Sequence, residues 1–149
     1  MLENIAYLGH ELTSVDFKLL TKQPEGEGFY NYSVEVLPDV SITTESVDDG
    51  ADTHQVTMAI KSSTNGFSGN KEDKEDKEDK ESVFTLDVEF TVSFELQNQE
   101  QPTADSLENN QWFFVNFAHV ASKEITSAIL DNSVLKGAYL PSHRIDQRD

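Results

Sequence analysis

Val83-Phe-Thr-Leu-Asp-Val-Glu-Phe-Thr-Val-Ser-Phe-Glu-Leu96 carries the clearest pattern in this chain. Its even positions, Phe84, Leu86, Val88, Phe90, Val92, Phe94 and Leu96, are all apolar. The odd positions between them include Thr85, Asp87, Glu89, Thr91, Ser93 and Glu95. Alternation with period two places one face of a strand in a core and the other in water. A long half-wet strand belongs to an antiparallel sheet whose second face is solvated.

Working upstream, three segments repeat the alternation more weakly. Val15, Phe17 and Leu19 form one. Tyr30, Tyr32, Val34 and Val36 form the next, which resumes beyond Pro38 with Val40 and Ile42. Val56, Met58 and Ile60 form the third. Pro38 cannot donate to a ladder, so it marks an edge, a bulge or a break. Gln23-Pro-Glu-Gly-Glu-Gly28 reads as a flexible connection and Asp48-Asp-Gly-Ala-Asp52 as a turn.

Residues 63–82 are expected to join the third strand to the fourth as a disordered charged insert in an otherwise single domain, 1–149. They contain Lys71-Glu-Asp-Lys-Glu-Asp-Lys-Glu-Asp-Lys-Glu81, a tripeptide repeated with almost no variation. The repeat has no apolar group whose burial would offset the entropy of ordering it. Salt bridges such as Asp73 to Lys77 can span one helical turn, but so short a segment does not hold a helix alone. It reads as a solvated loop, or alternatively as a tether for a basic partner.

Downstream of the long strand the period changes. From Phe114, apolar residues recur at Ala118, Ala121, Ile125, Ala128 and Ile129, with Asn116, Lys123 and Ser127 opposite, which predicts a helix. Its first half is apolar almost all round. Trp112, Phe113, Phe117 and Val120 are therefore candidates for an interface with a second subunit.

The net charge is −17. The charged repeat holds only four Lys and seven acidic residues, so the rest of the chain still carries seven basic residues against 21 acidic ones. That balance excludes a phosphate-binding surface and so nucleic acid, and it disfavours anionic membranes. With no cysteine, thiol chemistry and Cys-ligated metal are excluded. Met1 to Leu12 has neither Lys nor Arg and no long apolar run; a secretory signal is not expected, nor is a membrane span, and the expected location is cytoplasmic. No phosphate loop, dinucleotide fingerprint or nucleophile elbow occurs. His10, His54, His119 and His143 lie at no recognised zinc spacing. The expectation is a non-enzyme without metal or cofactor.

The order of strands, the helix and the segment after it resemble the SecB-type export chaperones. The resemblance is carried by Phe117-Ala-His-Val-Ala-Ser-Lys-Glu-Ile-Thr-Ser-Ala-Ile-Leu130, by Leu140-Pro-Ser-His-Arg-Ile-Asp146, by Tyr32-Ser-Val-Glu-Val-Leu-Pro-Asp-Val-Ser-Ile42 and by Val15-Asp-Phe-Lys-Leu-Leu20. In outline the chain is also similar to uncharacterised SecB-like proteins of Gram-positive bacteria. The resemblance implies an α+β fold, a four-stranded antiparallel sheet with a long C-terminal helix packed on one face. It implies a homodimer or homotetramer that holds unfolded polypeptide in apolar grooves and meets an export motor through an acidic face. Phe29, Tyr30 and Tyr32 are then candidates for groove lining, and Asp16, Asp87, Glu89 and Glu95 for the acidic partner-facing surface. The family continues past the Leu-Pro…Asp motif into a second helix and tail, whereas this sequence stops at Asp149. The expected function is polypeptide binding, as an ATP-independent holdase linked to export. The alternative is an acidic adaptor for one specific protein partner on the same fold.

Overall fold

The structure, a computed structural model, describes residues 2–20, 28–45, 52–68, 82–97 and 101–133. Four strands, β1 (Ile5–Leu19), β2 (Gly28–Glu45), β3 (Thr53–Ser68) and β4 (Ser82–Leu96), precede a short helix α1 (Ala104–Asn109) and a long helix α2 (Gln111–Asp131). The strands form one antiparallel sheet in the order β1-β4-β3-β2. β4 is therefore central, paired with β1 on one side and β3 on the other. Every apolar even position of the opening stretch is buried, from Phe84 to Leu96. Val56, Met58 and Ile60 of β3 extend the same core, which Phe114, Ala118, Ala121, Ile125 and Leu130 of α2 complete.

β1 begins at Ile5, ten residues before the alternation of Val15, Phe17 and Leu19 becomes visible. Two bulges explain the difference. The pairing with β4 shifts between Tyr7 and Gly9 and again between Leu12 and Ser14, each time by one extra residue in β1. One extra residue inverts the facing of everything beyond it. The positions that share the core side with the even residues of β4 therefore run Ile5, Tyr7, then His10, Leu12, then Val15, Phe17, Leu19. Gly9 occupies the first bulge at φ 125°, a backbone conformation that other residues rarely adopt.

β2 shows the complementary case. Val36 pairs with Ile60 and Val40 with Met58, so four steps along β2 match two along β3. Two extra residues leave the parity intact, and this is why the alternation resumes in phase at Val40 and Ile42 after Pro38. The segment between β3 and β4 is shorter than 63–82. β3 pairs through Ser68 and β4 begins at Ser82, because Ser62, Thr64 and Gly66 keep a period-two facing that their small polar side chains hide in the sequence. The repeat 71–81, the connection 23–27, the turn residues 48–51 and the motif 140–146 lie outside the described residues.

Thr103 caps α1: its hydroxyl accepts from the Ser106 amide at 3.1 Å, and the Ser106 hydroxyl accepts from the Thr103 amide at 2.9 Å. This reciprocal pair satisfies two amides that a helix start otherwise leaves open. Asn110 then separates α1 from α2. The buried side of α2 includes Phe114, Ala118, Ser122, Thr126 and Leu130, spaced by four residues. Such a row drifts around a helix by about 40° per step, given 3.6 residues per turn, and the contacts of α2 drift with it. Phe114 meets Phe94 of β4, ring centroids 5.0 Å apart, whereas Ser122 meets Tyr32 of β2. α2 thus crosses the sheet obliquely, from β4 towards β2. Ala128, expected on the buried stripe, is exposed, while the polar Ser122 and Thr126 are buried.

Candidate functional site

The oblique path of α2 leaves β1 poorly covered. Near the start of β1, Tyr7 touches the helix through Phe117 at 4.9 Å between ring centroids. Further along, the helix has moved away and Leu12, Val15 and Leu19 of β1 lie open, while Phe17 between them packs against the core. Leu12 is 50% exposed, Val15 43% and Leu19 38%, although their partners on β4, Phe90, Val88 and Phe84, are buried. On α2, Val120 is 57% exposed. Glu124 is on the β1 side of the helix, since burial and then the negative charge of Glu124 push the Tyr7 phenol above its ordinary pKa. The result is an apolar row along an edge strand, walled on one side by a helix. Among the described residues β1 pairs only with β4 and forms an edge of the sheet, and an edge strand can pair with a further chain.

The aromatic residues at the start of α2 divide between this surface and the core. Phe113 and Phe117 pack on Phe94, at 6.1 and 5.4 Å between centroids, and Trp112 meets Phe113 at 6.1 Å edge to face. All three are half-buried within their own chain. Val120 alone among the four expected interface residues stands mostly in solvent.

Phe29, Tyr30 and Tyr32 are not brought together. Successive strand residues point to opposite faces. Phe29 stacks on Phe67 at 5.3 Å, while Tyr30 and Tyr32 share the other face with Val34 and Val36. Tyr32 is a joint between helix and sheet. Its hydroxyl donates to Ser122 Oγ at 2.5 Å, and its ring lies 6.2 Å from that of His119. Burial pushes the Tyr32 phenol above its ordinary pKa, with the Ser122 hydrogen bond opposing; burial alone raises Tyr30.

The acidic residues do share a face, the outer one. Asp16 sits directly opposite Asp87, with Glu89 and Glu95 further along β4. Each has an ordinary surface partner. Asp16 lies 3.8 Å from Lys18 Nζ, Asp87 accepts from the Ser63 hydroxyl at 2.7 Å, Glu89 faces Lys61 across the ladder, and Glu95 accepts from the Gln97 amide. From Asp87 to Glu95 the strand advances roughly 27 Å, at about 3.4 Å per residue, so the charges form a line and not a cluster.

One concave site was not foreseen. A cavity of about 430 Å³ opens at the β2 bulge, lined by Val36, Leu37, Pro38, Val40, Met58, Leu107, Glu108, Gln111 and Phe114. Pro38 was the available signal. Its effect on strand pairing was legible, but α1, which forms the opposite wall, was not. Among the described residues no group of His, Asp and Glu is arranged to hold a metal ion, and no helix is long and apolar enough to cross a membrane.

A sheet in the order β1-β4-β3-β2 followed by one long helix has a counterpart among solved structures. The architecture is SecB-like. The chain superposes on the Mycobacterium tuberculosis Rv1957 SecB-like chaperone, solved in complex with a ChAD peptide from the HigA1 antitoxin, with a TM-score of 0.50 and 14% sequence identity. The match covers 93% of this chain and 90% of that one. No protein-family model and no curated protein matches the sequence.

Proposed function

We propose that this chain is a non-enzymatic polypeptide-binding protein that works as a homo-oligomer and holds unfolded chains without ATP, in the manner of SecB-like export chaperones in the cytoplasm. The observation that carries this reading is the uncovered apolar side of β1 at Leu12, Val15 and Leu19. Apolar residues scattered singly on a surface need no explanation, but a contiguous row along an open strand edge is a contact surface for another chain. A second copy and an extended client both fit such a surface. The strand edge offers main-chain hydrogen bonds to either, and the alternating side chains offer apolar contact without sequence preference. The fold likeness supports the same direction, because the SecB-like chaperone of similar architecture was solved with a peptide bound. The high negative charge keeps complexes with sticky clients dispersed.

The outer acidic face favours a second reading, an adaptor that docks one basic protein partner on Asp16, Asp87 and Glu89. The two readings separate in one experiment. A denatured model substrate is diluted into buffer with increasing amounts of the protein, without nucleotide, and light scattering is followed. A holdase suppresses scattering near stoichiometric ratios, and Leu12→Ser with Val15→Ser weakens the effect. Absence of suppression at several-fold excess, together with no binding of an unfolded labelled chain by fluorescence anisotropy, leaves the adaptor.

A further inference from the structure

The two halves of α2 are held to the sheet by different chemistry. The first half is aromatic, with Phe113, Phe114 and Phe117 packed on Phe94. The second half meets a polar seam. Tyr32 of β2 donates to Ser122, and Thr64 is the register partner of Tyr32 on β3. Ser62 lies two residues along β3, on the same face of the strand. Thr126 follows Ser122 by about one helical turn. Ser62, Thr64 and Thr126 are fully buried, and among the described residues their hydroxyls have no hydrogen-bond partner. A buried hydroxyl without a partner keeps its desolvation penalty with nothing to offset it, whereas a methyl group of the same shape carries none. Three such groups in one seam weaken the docking of the helix there.

The helix is also weak in itself beyond Ser122. Ile125, Thr126 and Ile129 are β-branched, and the hydroxyls of Ser122 and Ser127 compete for backbone groups, so all five rank below Ala and Leu as helix formers. The last turn has no basic residue and ends on Asp131, whose charge is unfavourable at the negative end of the helix dipole. Ile125 and Leu130 are the buried apolar anchors of this half. We infer that the segment from Ser122 to Leu130 is a releasable strap. It detaches from β2 and β3 as a unit while the aromatic half of α2 and the ladders of the sheet stay folded, because opening returns the buried hydroxyls to water. Tyr32 is its latch, since the bond to Ser122 exists only in the closed form. Release uncovers the core face of β2 and β3 around Tyr32, Ser62 and Thr64. The strap stands independently of the polypeptide-binding reading.

Native-state hydrogen exchange on the full chain at low urea concentrations tests it. Amides of residues 122–130 should share one opening equilibrium, at least about tenfold more populated than the one that exposes the amides of residues 86–94 in β4. That opening should depend only weakly on urea, because it exposes little surface. Thr64→Val combined with Thr126→Val removes two hydroxyls at nearly constant shape and should slow exchange over 122–130 by about tenfold or more. Tyr32→Phe should speed it by about fivefold. Circular dichroism checks that each variant is folded, and Ser62→Ala replaces the double variant if that one is not. The strap is overturned if residues 122–130 open only together with β4, or if their protection falls off residue by residue towards Asp131, as in simple end fraying. It is equally overturned if removing the hydroxyls leaves exchange unchanged or faster, the result expected of hydroxyls bridged by internal water.

Discussion

Gly66 shows how one missing side chain holds the end of the sheet together. A Cβ at this position would overlap the ring of Phe84, the register partner of Gly66 on β4, which lies across the glycine. Phe84 is itself buried and packs against Phe17 of β1 at 6.3 Å between centroids, so the ring has little room to withdraw. Gly66→Ala should cost about 1–3 kcal/mol, the usual range for overpacking. Urea unfolding would measure this, and the penalty should shrink when Phe84 is first replaced by Leu. Tyr32 makes a second residue-scale prediction. Its phenol is raised above the ordinary value near 10, first by burial. A raised folded-state pKa means that the neutral form is the one the fold favours. That contribution is complete below the unfolded value and is lost as pH rises through the folded one. Stability should therefore fall above about pH 10, followed by phenolate absorbance alongside circular dichroism. Tyr32→Phe should lower stability at neutral pH by about 1 kcal/mol, because the buried Ser122 hydroxyl loses its partner. The variant should also be less sensitive to alkali.

At the scale of elements, β1 and α2 each have one side committed to their own core and one side free. Phe113 and Phe117 lie on the committed side, against Phe94 and Tyr7. A charge placed at Phe117 should therefore destabilise the fold, by less than the about 3–5 kcal/mol for loss of a fully buried aromatic side chain because Phe117 is half-buried, and it reports poorly on assembly. Val120 and Val15 are better probes, since both are exposed in the single chain. Val15→Lys and Val120→Asp should leave secondary structure and thermal stability of the subunit almost unchanged, within about 0.5 kcal/mol for exposed sites. If the free side is an interface, each variant should shift the sedimentation equilibrium towards monomer at micromolar concentration. A wild-type protein that is already monomeric there would show that the row is reserved for clients.

For the whole molecule, charge and apolar surface are divided between the two faces of one sheet. Asp16, Asp87, Glu89 and Glu95 mark the outer face; the core face carries the helix, the open row of β1 and the cavity at the β2 bulge. With a net charge of −17, the molecule attracts cationic chains over a distance set by ionic strength. Association with an unfolded basic substrate should therefore be faster at low salt. Raising salt to about 0.5 M should slow association, while dissociation, governed by apolar contact, changes little. Stopped-flow anisotropy separates the two rates. A dissociation rate that rises steeply with salt would mean that the bound state is held by charge and would favour docking on the outer face.

The antiparallel sheet was readable from the chain because Val83 to Leu96 alternates without interruption, and an uninterrupted alternation leaves a strand only one way to face a core. The helix was readable for the same kind of reason, as was the restart of β2 beyond Pro38, where two extra residues preserve the phase. The first ten residues of β1 were not readable, since two single-residue bulges invert the facing twice and erase the period. Nor was the end of β3, where Ser62, Thr64 and Gly66 are buried without being apolar. The candidate sites divide along the same line. The acidic outer face follows from the odd positions of β4 and was legible. Phe29 faces away from Tyr30 and Tyr32 because neighbours in a strand point to opposite faces, and Tyr32 spends its hydroxyl on α2. Only the tertiary structure decided the angle at which α2 crosses the sheet. That angle covers β4, leaves Leu12, Val15 and Leu19 of β1 open and, with α1, walls the cavity at the bulge. Local periodicity determines which residues seek a core; which of them find one depends on how far α2 reaches across the four strands.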